Sequence, residues 1–189
     1  MTKQEIRKRY LEKRKQLDKV AFEEMSLQIL GQFSHLQLPV IKVLLSYSSL
    51  SGHNEFDVSG CESILRNRHS QMVSALPRIV ATDTSMEAIA INEGGGMTLN
   101  QYGIAEPLGG SIVDPEKIDL VFVPLIAFDI RGYRVGYGKG YYDRFLKRCR
   151  EDCCAVGFSF FEAVEPPGDI HEFDVPLDFC ISPLRVYEF

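Results

Sequence analysis

Hydrophobic positions in this chain fall into strand-like runs and helix-like stripes, and the longest run, residues 121–128 (VFVPLIAF), organises the rest. A nearly unbroken apolar run predicts a strand buried on both faces, because a half-exposed strand would alternate apolar with polar. Asp129 ends the run. A loop follows with Gly132, Gly136, Gly138 and Gly140, after which Tyr142, Phe145, Leu146 and Cys149 recur at helical spacing. That spacing predicts a helix over residues 141–149 with one apolar stripe.

Upstream, Thr2-Lys3-Gln4-Glu5 fits a capping box and predicts a helix running to about residue 17. Ile6, Tyr10 and Leu17 share the face that packs on the body. Lys3, Arg7 and Arg14 fall beside that face, where they could clamp an anion, while Lys8, Arg9 and Lys15 point elsewhere. The competing reading is a solvated basic helix, and it is accepted for the second group. A second helix is expected after Asp18 as far as Phe33, with Val20, Met25, Ile29, Leu30 and Phe33 inside. Residues 40–47 read as a strand, and a polar loop leads to a short helix over about 57–69. Residues 71–76 and 86–91 read as strands about Pro77-Arg78, Glu93-Gly94-Gly95-Gly96 as a turn, and 154–160 as a further strand. This order, with no repeat or linker, predicts one α/β layered domain over residues 1–189. Its sheet is mainly parallel, with the ligand at the carboxyl ends of the strands.

The glycine loop is where chemistry concentrates. Glycines let backbone N–H groups approach an anion, and a helix N-terminus leaves unpaired donors there. Arg134 and Lys139 add positive charge, and Asp143 could reach a phosphate-bound Mg²⁺. The loop is not a Walker A sequence, since Tyr133 stands five before Gly138 and Gly140 follows Lys139 where Ser or Thr is required. Its G-x-G-x-G spacing also differs from the dinucleotide fingerprint. A flexible turn that binds nothing would be preferred for one Gly-x-Gly. Three alternate glycines beside two cations and a carboxylate favour the anion site.

Charge and composition narrow the partners. The net charge of −5 argues against nucleic acid, although seven of the 21 basic residues lie in the first fifteen positions. No apolar run approaches the roughly 20 residues that cross a bilayer. No secretory leader is evident, and Glu5 and Glu12 interrupt what a transit peptide would keep free of acids. Five cysteines without metal-ligand spacing predict reduced thiols, a cytoplasmic protein and no zinc site. His35, His53, His69 and His171 are scattered without triad partners.

The stretch DIRGYRVGYGKGYYDRFL resembles the signature of the 5-formyltetrahydrofolate cyclo-ligase family, also called methenyltetrahydrofolate synthetase. Lys3, Ile6 and Arg7 are similar to the family's K-x-x-[IL]-R, residues 102–107 to its aromatic-G-I-x-E-P, and residues 174–178 to its D-x-x-L-D. The resemblance implies an open, mainly parallel sheet flanked by helices, of the NagB/RpiA/CoA-transferase-like, Rossmann-related kind. It implies ATP and a reduced folate as small-molecule substrates of a monomer, with Mg²⁺ on Asp143 and Asp174. The implied ATP site comprises Lys3, Gln4, Glu5, Ile6 and Arg7 with Arg134, Val135, Gly136, Tyr137, Gly138, Lys139, Gly140, Tyr141 and Tyr142. The implied folate site comprises Arg7, Leu50, Glu55, Tyr102, Tyr137, Gly138, Lys139, Gly140 and Tyr141, with Lys139 and Arg134 catalytic. Two alternatives stay open: Glu55 and Asp57 meet the folate or only cap a helix, and Tyr102 stacks on a ring or only packs. The chain departs from many relatives at Ala163, where they carry Gln, and it lacks Trp. The implied reaction converts 5-formyltetrahydrofolate and ATP to 5,10-methenyltetrahydrofolate, needing positioned charge and no nucleophilic side chain. A phosphorylated-sugar isomerase and a non-catalytic nucleotide- or folate-binding protein are the rival readings.

Overall fold

Capping chemistry starts the first two helices of the computed structural model, which describes residues 1–80, 85–91 and 94–189. Thr2 Oγ1 accepts from Glu5 N at 3.2 Å and the Glu5 carboxylate accepts from Thr2 N at 2.8 Å, so the expected capping box opens α1 (Lys3–Lys15). Asp18 Oδ1 accepts from Ala21 N at 2.8 Å and opens α2 (Lys19–His35). The α2 stripe that meets the core is Phe22, Met25, Ile29 and Phe33. Val20, expected inside, is 73% exposed. It stands two residues before Phe22, and at about 100° per residue that turns it to the far side of the helix.

The chain continues through β1 (Val43–Leu45), α3 (Ser59–Arg68), β2 (Val73–Val80), β3 (Ser85–Ala90), β4 (Met97–Leu99), β5 (Ala105–Pro107) and β6 (Ile112–Val113). It ends with β7 (Leu120–Val123), β8 (Ala127–Phe128), β9 (Arg134–Val135), α4 (Tyr141–Leu146), β10 (Cys154–Phe158), β11 (Phe179–Ile181) and β12 (Val186–Glu188). One sheet orders its strands β12-β11-β10-β7-β1-β2-β3-β6. From β11 to β2 all pairs are parallel, and β12, β3 and β6 add antiparallel margins. Alternation along the central strands splits the core into two layers. Leu44, Phe122 and Val156 face Ile29 and Phe33 of α2 with Cys61 and Leu65 of α3. Leu45, Val121 and Ala155 face Phe145 and Leu146 of α4. The expected α/β layering is present.

Several boundaries differ from the pattern for local reasons. The run 121–128 is not one strand. Pro124 has no N–H to give, so the ladder with β10 stops at Val123↔Gly157, and β8 pairs separately with β9. The strand read over 40–47 shrinks to β1, because Asp119 Oδ2 takes the N–H groups of Lys42 and Val43 at 2.7 and 2.8 Å before the ladder begins. Val40 is exposed. Beyond Leu146 the helix expected to reach residue 149 tightens into i→i+3 turns, Arg148 N to Phe145 O and Cys149 N to Leu146 O. Of the glycine-rich turn, Gly94 adopts φ +79°, and Glu93 lies outside the described residues. Pro77 is tolerated inside β2 because its backbone faces the β1 side beyond the last register pair, Leu45↔Ala75; farther along that side Ile79 N donates to Glu106 Oε1 instead. Leu17 lies past the end of α1 and packs on the layer under α2. Ile6 holds α1 on the β8–β9 ribbon, against Ala127 and Val135.

Candidate functional site

A cavity of about 620 Å³ opens at the carboxyl ends of β1, β2 and β7, where a parallel sheet offers a ligand site. Tyr47, Ser48 and Leu50 follow β1, Pro124 follows β7, and Pro77 and Ile79 come from the second half of β2. Lys3, Gln4 and Arg7 of α1 cross one side, and residues 136–143 cross the other. One end is cationic and built on backbone. The other is aromatic and carries a buried carboxyl.

At the cationic end Gly138 and Gly140 hold φ +89° and +69°, a region that costs other residues about 1–2 kcal/mol. A Cβ on Gly138 would stand 3.1 Å from the Arg7 guanidinium, so glycine is what lets Arg7 approach. Arg7 Nε donates to Gly136 O at 2.7 Å, tying the helix face to the loop. The Lys139 ammonium lies 5.8 Å from the centroid of the Tyr102 ring. Lys3 anchors the start of α1: its N–H donates to Asp169 Oδ1 at 2.7 Å and its ammonium pairs with Asp174 Oδ2. No side chain caps α4 at Gly140.

At the aromatic end Glu55 is 5% exposed. Its Oε1 accepts from the Tyr137 hydroxyl at 2.7 Å and its Oε2 from Leu50 N at 2.9 Å. Burial raises the Glu55 pKa, while Tyr137, the Leu50 N–H and Arg14 hold it back. Asp57 instead accepts from Ser59 N at 2.9 Å at the start of α3. The two carboxylates read together therefore separate, Glu55 to the cavity and Asp57 to the N–H of the first residue of α3. The His53 ring stacks on Tyr137 at 6.0 Å and 27°.

Most of the expected residues meet in this cavity, and the expectations for five of them need correction. Ile6 and Val135 are buried in the seam beneath α1, and Glu5 is exposed and engaged in the capping box, so none of the three lines the cavity. Arg14 is no anion clamp. It is buried and donates to His53 O at 2.8 Å, Leu125 O at 3.0 Å and Tyr137 Oη at 2.7 Å. Arg134 lines the floor, yet its guanidinium is directed at protein groups, Val175 O at 2.6 Å and Asp143 Oδ1 at 2.7 Å. It enters the site as the partner of Asp143. Asp178 Oδ2 accepts from Ala155 N at 2.7 Å, which commits it to the sheet and leaves Asp174 in the cavity. Ala163 packs beside the α4 layer and does not line the cavity. Sequence reading missed Tyr47, His53, Asn100 and Asp169 as lining residues. They come from separate segments with no local motif. Glu106 was within reach of it, in the quoted residues 102–107; its Oε1 accepts from Ile79 N and Asn100 Nδ2 and fixes the β4–β5 hairpin over the cavity.

Comparison with known proteins bears on this arrangement. The pattern of the 5-formyltetrahydrofolate cyclo-ligase family matches residues 1–163. A probable 5-formyltetrahydrofolate cyclo-ligase of Schizosaccharomyces pombe is 36% identical over 104 residues, 48% of this chain and 51% of the relative. The chain spans about half the length of the curated relatives it matches. Two solved structures are similar throughout. The 5,10-methenyltetrahydrofolate synthetase of Aquifex aeolicus has a TM-score of 0.77 at 30% identity, covering 100% of this chain and 93% of that one. That of Mycoplasma pneumoniae has 0.72 at 25%, covering 97% and 99%.

Proposed function

The chain belongs to the 5-formyltetrahydrofolate cyclo-ligase family, and on that premise we propose that it converts 5-formyltetrahydrofolate and ATP to 5,10-methenyltetrahydrofolate, ADP and phosphate. The observation that carries the reading is one cavity with a cationic glycine-backbone end and an aromatic, carboxyl-bearing end. The formyl oxygen attacks the γ-phosphorus and ADP departs. The second folate nitrogen then attacks the formyl carbon, losing its proton as the C–N bond forms, and the C–O bond breaks to release phosphate.

The side chains supply placement and charge. Gly136, Gly138 and Gly140 admit the phosphates, Arg7 and Lys3 flank them, and Lys139 neutralises charge on the transferring group. Tyr102, which lines the same cavity as Leu50 and Glu55, is the ring to stack on the pteridine. Arg134 acts by holding Asp143. Tyr137, Tyr141 and Tyr142 wall the passage between the two ends.

Asp143 and Asp174 fit Mg²⁺ that arrives with the nucleotide. Among the described residues each commits one oxygen to protein donors, Asp143 Oδ1 to Arg134 and Val175 N, and Asp174 Oδ2 to Lys3 and His171 N. The second oxygen of each suits a hard cation, which usually takes one or two carboxylates plus phosphate. Among the described residues no preformed group of three or more His, Cys, Asp and Glu is present. Bound there, Mg²⁺ would offset the negative charge of the phosphates. The same reading assigns a monomer of the NagB/RpiA-like grouping, with its free thiols in a reducing cytoplasm. Among the described residues no helix is long and apolar enough to cross a membrane.

The test is absorbance of the methenyl product on mixing protein, 5-formyltetrahydrofolate, Mg²⁺ and ATP, with ADP counted alongside. One ADP per product is expected. No product, or product without ATP, overturns the reading in favour of an isomerase or a binding protein.

A further inference from the structure

Arg14 carries a charge into the protein, where it is 4% exposed, and it does not line the cavity. Its three guanidinium nitrogens each donate to a different chain segment: Nε to His53 O in the loop after β1, Nη1 to Leu125 O in the bend after β7, and Nη2 to the Tyr137 hydroxyl in the glycine loop. Its own carbonyl accepts from Asn54 Nδ2 at 3.0 Å, which fastens the same loop a second time. A guanidinium donates and cannot accept. The Tyr137 oxygen must therefore be the acceptor from Arg14, and its single hydrogen is left for Glu55 Oε1.

We propose that Arg14 is a positioning residue for the folate end of the cavity, acting through Tyr137 to hold the Glu55 carboxyl in one place and orientation. The proposal rests on the cyclo-ligase reading for its substrate. Its geometry stands without that reading. Glu55 faces Arg14 from α1, Tyr137 from the glycine loop, Tyr142 from α4 and Tyr47 from the segment after β1; His53 stacks on Tyr137 from outside the pair. Arg14 is the one cation acting on the Glu55 carboxyl among the described residues. Without it the Tyr137 hydroxyl is free to turn, and the buried carboxyl loses both a favourable charge and an aimed donor. Arg14→Lys keeps the charge but cannot span three acceptors in a plane.

Two measurements test this. The first is a titration of the Glu55 side chain by carbon NMR in the free protein, which needs no substrate. Arg14→Gln should move the midpoint upward, Arg14→Lys less so; an unmoved midpoint in Arg14→Gln overturns the proposal. The second is a double-mutant cycle with Tyr137→Phe, read in KM for 5-formyltetrahydrofolate and KM for ATP. Arg14→Gln should raise the folate KM about tenfold, as loss of one charged hydrogen bond does, and leave the ATP KM within about twofold. Tyr137→Phe added to it should cost little more, since the two act as one unit. Fully additive losses, or equal losses for both substrates, overturn the proposal. If Arg14→Gln fails to fold, Arg14→Lys and Tyr137→Phe complete both arms, and unchanged Glu55 titration in both overturns it. A wild-type protein that makes no methenyl product defeats the cyclo-ligase reading, and the titration then judges Arg14 alone.

Discussion

The two ends of the cavity are held in different ways. At the glycine loop, position is set by backbone: φ values of +89° and +69° at Gly138 and Gly140, and a carbonyl of Gly136 that accepts from Arg7. At the Glu55 end, position is set by a chain of side chains, from buried Arg14 through half-buried Tyr137 to buried Glu55. On the proposed reading, the difference follows from what each end would meet. A polyphosphate brings its own charge and is met by donors and cations that stay partly wet. A flat ring brings little charge and is met by groups fixed in advance, because an unpaired buried polar group costs about 1–3 kcal/mol.

The largest effect expected from this contrast is at Lys139. Lys139→Ala should lower turnover by on the order of 10²-fold, well beyond any change in folate affinity, because the lost charge acts on the transferring phosphate. Turnover equal to wild type would remove Lys139 from the chemistry. Arg7→Ala should raise the ATP concentration needed by roughly one to two decades, the value of one charge-assisted hydrogen bond of about 1.5–3 kcal/mol. Lys8→Ala and Arg9→Ala, on exposed faces of the same helix, should do almost nothing. Equal losses in all three would mean that the helix acts only as a diffuse positive field. The check is ATP titration of the three variants at two salt concentrations.

Asp143→Asn probes both metal and structure. It should raise the Mg²⁺ concentration required for activity, and it also strips the nearly buried Arg134 of its carboxylate. Breaking such a pair costs up to about 3 kcal/mol here, since Asp143 is itself partly exposed. A Tm unchanged from wild type would show that the pair contributes nothing. The smallest effect concerns pH. Burial pushes Glu55 above its usual 4.5, so the folded chain binds that proton before the unfolded chain does. Its contribution to stability therefore increases as pH falls through the native pKa toward 4.5. Asp119, far from the cavity, behaves oppositely. Burial works against it, but Arg150 and the N–H groups of Val43 and Lys42 hold it below 3.8, and its contribution is lost as pH falls beneath that value. Glu55→Gln should flatten Tm against pH above 4.5, and Asp119→Asn below 3.8. Identical slopes in wild type and both variants would contradict the assignment.

Much of this protein was legible in the order of its residues. The capping box at Thr2 and the Asp18 cap are local, so two helix starts could be read directly. The G-x-G-x-G loop announced its backbone, because glycines clustered after a buried strand have few other uses. Apolar alternation and runs gave the layered α/β class. What the order of residues left undecided was which partner each polar group would find. Arg7 and Arg14, seven residues apart, fall on the same side of a helix at about 100° per residue, and the pattern alone makes both of them candidate anion clamps. Only the folded chain placed Arg7 against a glycine and buried Arg14 among three acceptors from remote segments. Likewise the apolar run carries Pro124 within one long strand, and only the ladder to β10 shows where its missing N–H ends the pairing. Helix starts and turns depend on neighbours within four residues. The pairing of a buried charge depends on whichever loops the sheet brings to it, and that is decided in three dimensions.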